Sequence, residues 1–145
     1  MTKIQQSALL PYSALSMFEL VNDIASYPEF MDGCLGAEVL SQNEDEVLAR
    51  LDLGKAGFKY SFTTRNHLQS PYTMVMELVD GPFKFFDARW TFTALKENAC
   101  KASLEMQFEF QSGLLDLALK NIFDASCKNL VNAVCRRADE LYGQR

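Results

Sequence analysis

The chain has 145 residues, of which 48% are hydrophobic and 23% are charged, and this composition predicts one globular domain, residues 1–145, with a core of its own. Its formal net charge of −5 argues against DNA binding, because proteins that hold phosphate backbones usually carry a basic excess. No apolar run is long enough to span a membrane, and the N-terminus is too polar for a signal peptide. We therefore expect a cytoplasmic protein with at most peripheral membrane contact.

The N-terminal part of the chain predicts one strand followed by two short helices. Residues 3–10 alternate imperfectly between polar and apolar side chains, which is typical of a strand, and a proline ends them. Ser13 suits the N-cap of a helix that runs to about Asp23, since apolar residues recur there at helical spacing. A second helical turn is predicted with Ser26 as its cap and Pro28 at its start.

From there to Gln111 the sequence has the pattern of an antiparallel sheet. Apolar and polar side chains alternate with period two between short turns, so that one face of each strand is apolar. Six further strands are predicted, at residues 38–41, 47–53, 58–67, 74–78, 86–92 and 102–110. Together with the first strand they make a sheet of about seven strands.

Residues 112–142 predict a long amphipathic helix, because apolar side chains recur there at three- and four-residue steps without an interior proline. The separation of strands and helices along the chain predicts an α+β fold in which the sheet wraps this helix.

The apolar side chains of this helix form two stripes when each residue is advanced by 100°. One stripe includes Leu115 and Leu119, and the other runs from Phe123 to Leu141. One straight helix cannot point both stripes at one sheet. Either the helix kinks near Phe123 and Asp124, or its first segment faces a cavity mouth or a second subunit.

The cysteines and the single histidine do not suggest a disulfide framework or a metal site. The four cysteines have no Cys-x-x-Cys spacing and are expected to be buried or half-buried thiols: Cys34, Cys100, Cys127 and Cys135. One histidine and scattered cysteines offer no plausible set of three or four metal ligands.

Several short motifs occur in the order that one known family shows. They are Ser26-Tyr27-Pro28-Glu29-Phe30, Lys55-Ala56-Gly57, Phe62-Thr63-Thr64-Arg65-Asn66, Asp80-Gly81-Pro82-Phe83-Lys84, Trp90-Thr91-Phe92 and Phe108-Glu109-Phe110. By these residues the chain resembles the coenzyme Q-binding START-like family over residues 3–142. The resemblance implies a helix-grip (START/Bet v 1-like) fold, with a curved seven-stranded antiparallel sheet around a long C-terminal helix and two short helices between strands 1 and 2.

The predicted inner face of the sheet carries many aromatic and methionine side chains. From the residues alone, such a face is either a solid core or the wall of an apolar cavity. The resemblance favours a cavity and implies a quinone or lipid ligand, with ubiquinone as the candidate and no resident cofactor. The cavity candidates are Phe58, Tyr60, Phe62, Met74, Met76, Phe83, Trp90, Phe92, Met106, Phe108, Leu115, Leu119 and Ile122.

The sequence gives little support for catalysis. His67 shares a strand face with Lys59 and Arg65, opposite the aromatic residues, so it is expected to face water rather than a substrate. No nucleophile with an adjacent base is recognisable, and we assign no catalytic residue. A polyketide cyclase or dehydratase remains the alternative, because it shares the implied fold, although a fold alone does not carry an activity.

The resemblance also implies a second role, since bacterial members of the family include a ribosome-association toxin. The partner would then be the large ribosomal subunit. The candidate contacts are outward-facing cations, each of which is otherwise an ordinary solvated charge: Arg50, Lys59, Arg65, Arg89, Lys128, Arg136 and Arg137. Whether the cellular role lies in respiration or in translation stays open at this point.

Overall fold

The computed structural model describes residues 2–55, 57–69, 72–111, 121 and 123–143. Its strands are β1 (Thr2–Leu10), β2 (Cys34–Gln42), β3 (Glu46–Lys55), β4 (Phe58–Gln69), β5 (Thr73–Asp80), β6 (Phe83–Lys96) and β7 (Ala99–Phe110). They form one curved antiparallel sheet in the order β1-β7-β6-β5-β4-β3-β2. The predicted seven-stranded sheet is therefore confirmed, and the chain crosses from one edge of the sheet to the other between β1 and β2.

The inner face of the sheet is apolar because side chains alternate along each strand. Phe62, Trp90 and Leu104 are buried on this face, whereas Arg89 and Lys101 are exposed on the other. The pairing of Trp90 with Leu104 across β6 and β7 keeps buried positions opposite buried positions. The predicted strand faces are confirmed.

Helix α1 (Ala14–Asn22) begins at the predicted cap, since the Ser13 hydroxyl accepts a hydrogen bond from the Ser16 backbone N–H at 3.1 Å. The second short helix differs from the prediction. It is a 3-10 helix at Ile24–Glu29, so Pro28 lies inside it and Ser26 is not its cap. The N-cap is Asp23, and the Ser26 hydroxyl donates to the Asp23 carboxylate at 2.7 Å.

The C-terminal helical region is interrupted at Asn129. Residues 123–128 are helical, and helix α2 (Leu130–Tyr142) follows the interruption. The Asn129 side-chain amide donates to the Ala125 carbonyl oxygen at 3.1 Å, while its backbone N–H donates to Ser126 at 3.3 Å. In a regular helix the Ala125 carbonyl oxygen would accept from the backbone N–H of Asn129. Here the Asn129 side chain donates to that oxygen and the backbone N–H bonds three residues back, to Ser126, so the helix tightens there. Phe123 and Asp124, near which we predicted a kink, are both helical, and Ile122 lies outside the described residues.

The second predicted stripe of the helix is buried for most of its length. Val131, Val134 and Ala138 are buried as expected, but Leu141 is 48% exposed and does not belong to the core. The last turn is held by the hydroxyl of Tyr142, which donates to the Ser16 carbonyl at 3.1 Å, and this contact leaves Leu141 facing solvent. The first stripe, around Leu115 and Leu119, lies outside the described residues. None of the described helices is long and apolar enough to cross a membrane.

Phe123 anchors the helical region to the sheet. Its side chain is 4% exposed, and its ring meets that of Phe108 edge-on at 4.7 Å between centroids. The rings of Phe83 and Phe110 lie at 5.2 and 5.7 Å from it. Edge-to-face aromatic pairs stabilise a core beyond the area that they bury, so this one residue fixes the helix over the middle of the sheet.

A smaller buried cluster lies under β2 and contains Tyr27 and Cys34. The Tyr27 hydroxyl donates to the Val21 carbonyl oxygen, and burial raises the pKa of this phenol well above its usual range. Burial is also the main cause that raises the pKa of the Cys34 thiol to about 11. Both groups therefore stay protonated to a higher pH in the folded protein than in the unfolded chain.

Replacement of Phe123 by alanine is expected to lower the free energy of unfolding by about 3 to 5 kcal/mol, because it removes a fully packed aromatic ring from the core. Urea denaturation followed by circular dichroism measures this change. Phe85→Ala is the matched control, since Phe85 is 40% exposed, and it should cost under about 1 kcal/mol. Equal losses in the two variants would contradict the anchoring role of Phe123.

The protein is expected to lose stability as the pH rises from about 9 towards 11. The unfolded chain releases the Cys34 proton near the usual pKa of 9.0, whereas the folded protein holds it to about 11, so alkaline pH favours unfolding. Urea denaturation at several pH values should give a shallower decline for Cys34→Ala, by at most about 1.4 kcal/mol per pH unit. Cys135→Ala, at a half-buried cysteine, is the control and should change the slope less. Parallel curves for wild type and Cys34→Ala would refute this assignment.

Candidate ligand cavity

A cavity of about 100 Å³ lies between the sheet and the C-terminal helical region. The sheet contributes Leu51 and Leu53 from β3, Phe62 from β4, Met76 from β5, Phe86 and Trp90 from β6, and Met106 from β7. The helical region contributes Phe123, Ser126, Cys127, Asn129, Leu130, Ala133 and Arg136. Tyr27, Met31, Asp32 and Cys34 complete the wall at the start of β2.

Four of the predicted cavity residues line this space, namely Phe62, Met76, Trp90 and Met106. The other described candidates belong to the packed core or its margin: Tyr60, Met74, Phe83, Phe92 and Phe108. The apolar face of the sheet is therefore partly packed core and partly cavity wall. The Phe58 side chain and the residues Leu115, Leu119 and Ile122 lie outside the described part of the structure.

Sequence reasoning missed most of the wall that lies outside the sheet centre. Alternation did point Leu51, Leu53 and Phe86 to the inner face, but nothing in the pattern marked them as cavity residues. Ser126 and Ala133 were missed because small residues on a helix give no signal that they border a space. Their small side chains stand where larger ones would fill the gap between helix and sheet.

Sulfur-containing side chains make up much of the wall. Met31, Cys34, Met76, Met106 and Cys127 all line the cavity. The Cys127 thiol donates a weak hydrogen bond to the Met106 sulfur at 3.5 Å. Thioether side chains are unbranched and polarisable, so they adapt to irregular apolar shapes at low cost.

Burial keeps the thiol and phenol groups at and beside this cavity in their protonated forms. Burial raises the pKa of the Cys127 thiol well above its usual range, and the nearby Asp124 carboxylate raises it further. Burial also raises the pKa of the Tyr60 phenol, which lies beside the cavity against Phe123. Neutral thiols are poor nucleophiles, so the wall suits binding better than covalent chemistry. Among the described residues, no cluster of three or more His, Cys, Asp or Glu side chains is placed to hold a metal ion.

Four polar side chains lie among the apolar lining residues: Asp32, Ser126, Asn129 and Arg136. The loop before β2 approaches the helix closely at Gly33, where φ is +82° and an added Cβ would lie 3.2 Å from the Ser126 hydroxyl. Glycine allows both this backbone conformation and the short distance between the loop and the helix. The loop and the helix together therefore place polar groups beside an apolar space.

The predicted contact cations differ in their ion pairs. Arg50 pairs with Asp52 at 3.0 Å, and Arg65 pairs with Glu46 at 3.0 Å and with Glu77 at 3.8 Å. Arg137 pairs with Glu29 at 3.0 Å and with Glu140 at 3.7 Å, and its guanidinium lies over the Phe30 ring. The remaining four make no ion pair with any described residue: Lys59, Arg89, Lys128 and Arg136.

His67 lies outside the cavity wall. Its Nε2 is 3.4 Å from the Glu77 carboxylate, and the same carboxylate contacts Arg65 on the outer face of the sheet. The expectation that His67 faces away from the aromatic residues agrees with this position, and no described lining residue is a histidine.

Known proteins resemble this chain at the levels of sequence and fold. A "Ribosome association toxin RatA" from Vibrio cholerae is 47% identical over 144 residues, which cover 99% of this chain and 100% of the relative. The mitochondrial "Coenzyme Q-binding protein COQ10" of Dictyostelium discoideum is 24% identical over 138 residues, which cover 92% of this chain and 67% of the relative. The crystal structure of the Zhui aromatase/cyclase from Streptomyces sp. R1128 has the same fold, with a TM-score of 0.82 at 15% identity, over 95% of this chain and 93% of that one.

The family model described as "Polyketide cyclase / dehydrase and lipid transport" matches residues 10–135. The match includes α1, β2 to β7 and most of the interrupted helical region, so it spans the elements that form the cavity. On this match and on the relative from Vibrio cholerae, the chain belongs to the polyketide cyclase/dehydrase and lipid transport family, of the START-like fold.

Proposed function

We propose that this chain is a non-catalytic binding protein that takes an apolar, lipid-like ligand between the sheet and the C-terminal helical region. The observation that carries this proposal is a cavity walled by aromatic, aliphatic and thioether side chains, with a few polar groups. Ubiquinone is the candidate that the relative named for coenzyme Q binding suggests.

The size of the cavity limits what can enter it without rearrangement. Its volume of about 100 Å³ is below the roughly 300 to 1,000 Å³ that is usual for small-molecule sites. Met31, Met76 and Met106 are the side chains that can change rotamer most easily to enlarge it. A ligand as large as a quinone would therefore bind with movement of these methionines.

A catalytic role fits these side chains less well. Cys34 and Cys127 are the described thiols that line the cavity, and burial raises the pKa of both. His67 lies with Glu77 on the outer face of the sheet. A cyclase or dehydratase needs an acid and a base that can both reach the substrate, and no histidine is among the described lining residues.

Ala133→Leu is expected to abolish binding of a short-chain ubiquinone analogue, because the added carbon atoms fill the space that the ligand needs. Ala133 is 5% exposed and lines the cavity, so the larger side chain points into it. Trp90, the only tryptophan of the chain, also lines the cavity, and quenching of its fluorescence measures binding directly.

The matched control is Ala125→Leu, which makes the same chemical change at an exposed position of the helical region. It should bind the analogue like the wild type. If the wild-type protein shows no quenching at saturating analogue and no rise in melting temperature, ubiquinone is not the ligand. Unchanged binding by Ala133→Leu would show that the analogue binds elsewhere.

A second proposed role is association with the large ribosomal subunit. The observation that favours it is the match, over nearly the whole of both chains, to a relative named for ribosome association. On the surface of the helical region, Lys128, Asn132 and Arg136 are all exposed and follow one another at four-residue steps. Asn132 and Arg136 lie four residues apart within α2 and therefore share one side of it, and Lys128 precedes them across the interruption at Asn129. We call these three hydrogen-bond donors the donor stripe.

The outer face of the sheet is a less favourable basic surface. Arg50 and Arg65 are neutralised there by carboxylates, and Arg89 lies opposite Glu105 in the β6–β7 register. A ribosomal surface made of RNA would be attracted more strongly by the donor stripe, since most of its affinity for proteins comes from phosphates.

The double variant Lys128→Glu/Arg136→Glu is expected to lose co-migration with the large subunit in a sucrose gradient, because it reverses both charges of the stripe. Lys59→Glu/Arg89→Glu reverses two charges on the sheet face and should leave co-migration intact. The opposite result would move the contact to the sheet. A wild-type protein that stays at the top of the gradient would rule out this role.

A further inference from the structure

Arg136 differs from the neighbouring arginine in having no counter-charge. Arg137 is held by Glu29 and Glu140, and its side chain is 18% exposed. Arg136 lines the cavity, is exposed, and makes no ion pair with any described residue. An unpaired guanidinium beside an apolar cavity is a ready partner for an anionic group, because it can hold a carboxylate through two parallel hydrogen bonds.

The other polar side chains that line the cavity, Asp32, Ser126 and Asn129, contribute no positive charge. Ser126 and Asn129 are neutral, and the Asn129 amide already donates to the Ala125 carbonyl oxygen. Asp32 is the only carboxylate among the described lining residues, and it has a polar interaction of its own. The Asp32 charge opposes an anion, so the preference for an anionic ligand depends on Arg136.

The apolar part of the cavity can hold the end of a hydrocarbon chain. An engineered cavity of about 150 Å³ in another protein accepts benzene, the smallest aromatic ring. The space here is about 100 Å³, so a substituted ring or an eight-carbon chain enters it completely only when the methionine side chains move. A narrow alkyl chain end can enter such a space and keep contact with the methionine and aromatic walls.

We propose that the cavity binds a single-chain carboxylate of the fatty-acid class, with its alkyl end between sheet and helix and its carboxylate on Arg136. This inference rests on the proposed function of the cavity as a lipid-like ligand site, and it names a carboxylate as a further head group that the site would accept. It makes Arg136 the residue that decides head-group specificity.

The test compares octanoate, 1-octanol and octylamine, which have the same chain and carry a negative, neutral or positive head group at pH 7.5. Trp90 fluorescence and melting temperature report binding to the wild-type protein. Octanoate should bind at least about fivefold more tightly than 1-octanol, because a charge-assisted contact adds to the chain contact that both share. Octylamine should bind more weakly than 1-octanol.

Variants separate the head-group contact from a general effect of charge. Arg136→Gln should reduce octanoate binding to the level of 1-octanol, and Arg136→Lys should restore part of the difference. Lys101→Gln removes one positive charge from the far face of β7 and should keep the full preference for octanoate. Because Arg136 is exposed, its replacement is not expected to unfold the protein.

The possible outcomes distinguish this inference from the proposed function. Equal binding of octanoate and 1-octanol, or an octanoate preference that survives Arg136→Gln, would overturn the inference. Binding of a short-chain ubiquinone analogue without binding of octanoate would overturn it while leaving the proposed function intact. Absence of any response to the three octyl compounds and to the analogue would overturn both.

Discussion

The packing of Phe123 against the sheet is the contact on which the position of the helix depends. Its ring lies within an aromatic group from β4, β6 and β7, with the Phe108 ring nearest at 4.7 Å. From this anchor the helix continues over the sheet with Cys127 and Ala133 facing inward. These side chains are small, so helix and sheet do not close on each other and a cavity remains. The aromatic anchor and the cavity are thus consequences of the same helix position.

An unfilled cavity in such a core lowers the free energy of unfolding, and larger side chains that filled it would remove this loss. At about 24 cal/mol per Å³, an unfilled space of about 100 Å³ costs roughly 2 kcal/mol. That is a substantial share of the roughly 5 to 15 kcal/mol by which folded proteins are usually stable. Ser126 and Ala133 line this space with small side chains, which leave it open. Small residues at these positions suit a binding site better than a solid core, which would be more stable without the cavity.

The sequence predicted the sheet well because strand faces follow from local alternation. Phe62, Trp90 and Met106 were assigned to the inner face, and they line the cavity. Alternation does not distinguish them from Phe92 and Phe108, which are fully packed, because that difference depends on where the helix crosses a curved sheet. The interruption at Asn129 was missed for a related reason. It depends on one side-chain hydrogen bond to Ala125, which has no periodic signal.

The overall charge of the chain is a poor guide to the charge at its sites. A net charge of −5 suggests that the protein repels anions, yet charge acts locally because water and salt screen it beyond about 8 to 10 Å. Arg136 and Arg137 are adjacent in sequence, but two carboxylates neutralise Arg137 and none of the described residues neutralises Arg136. Successive residues of a helix point about 100° apart, so one arginine faces the 3-10 helix and the other faces the cavity. Local geometry therefore places Arg136, the one cation among the described lining residues, at the apolar cavity of an acidic protein, where it can contact an anionic head group.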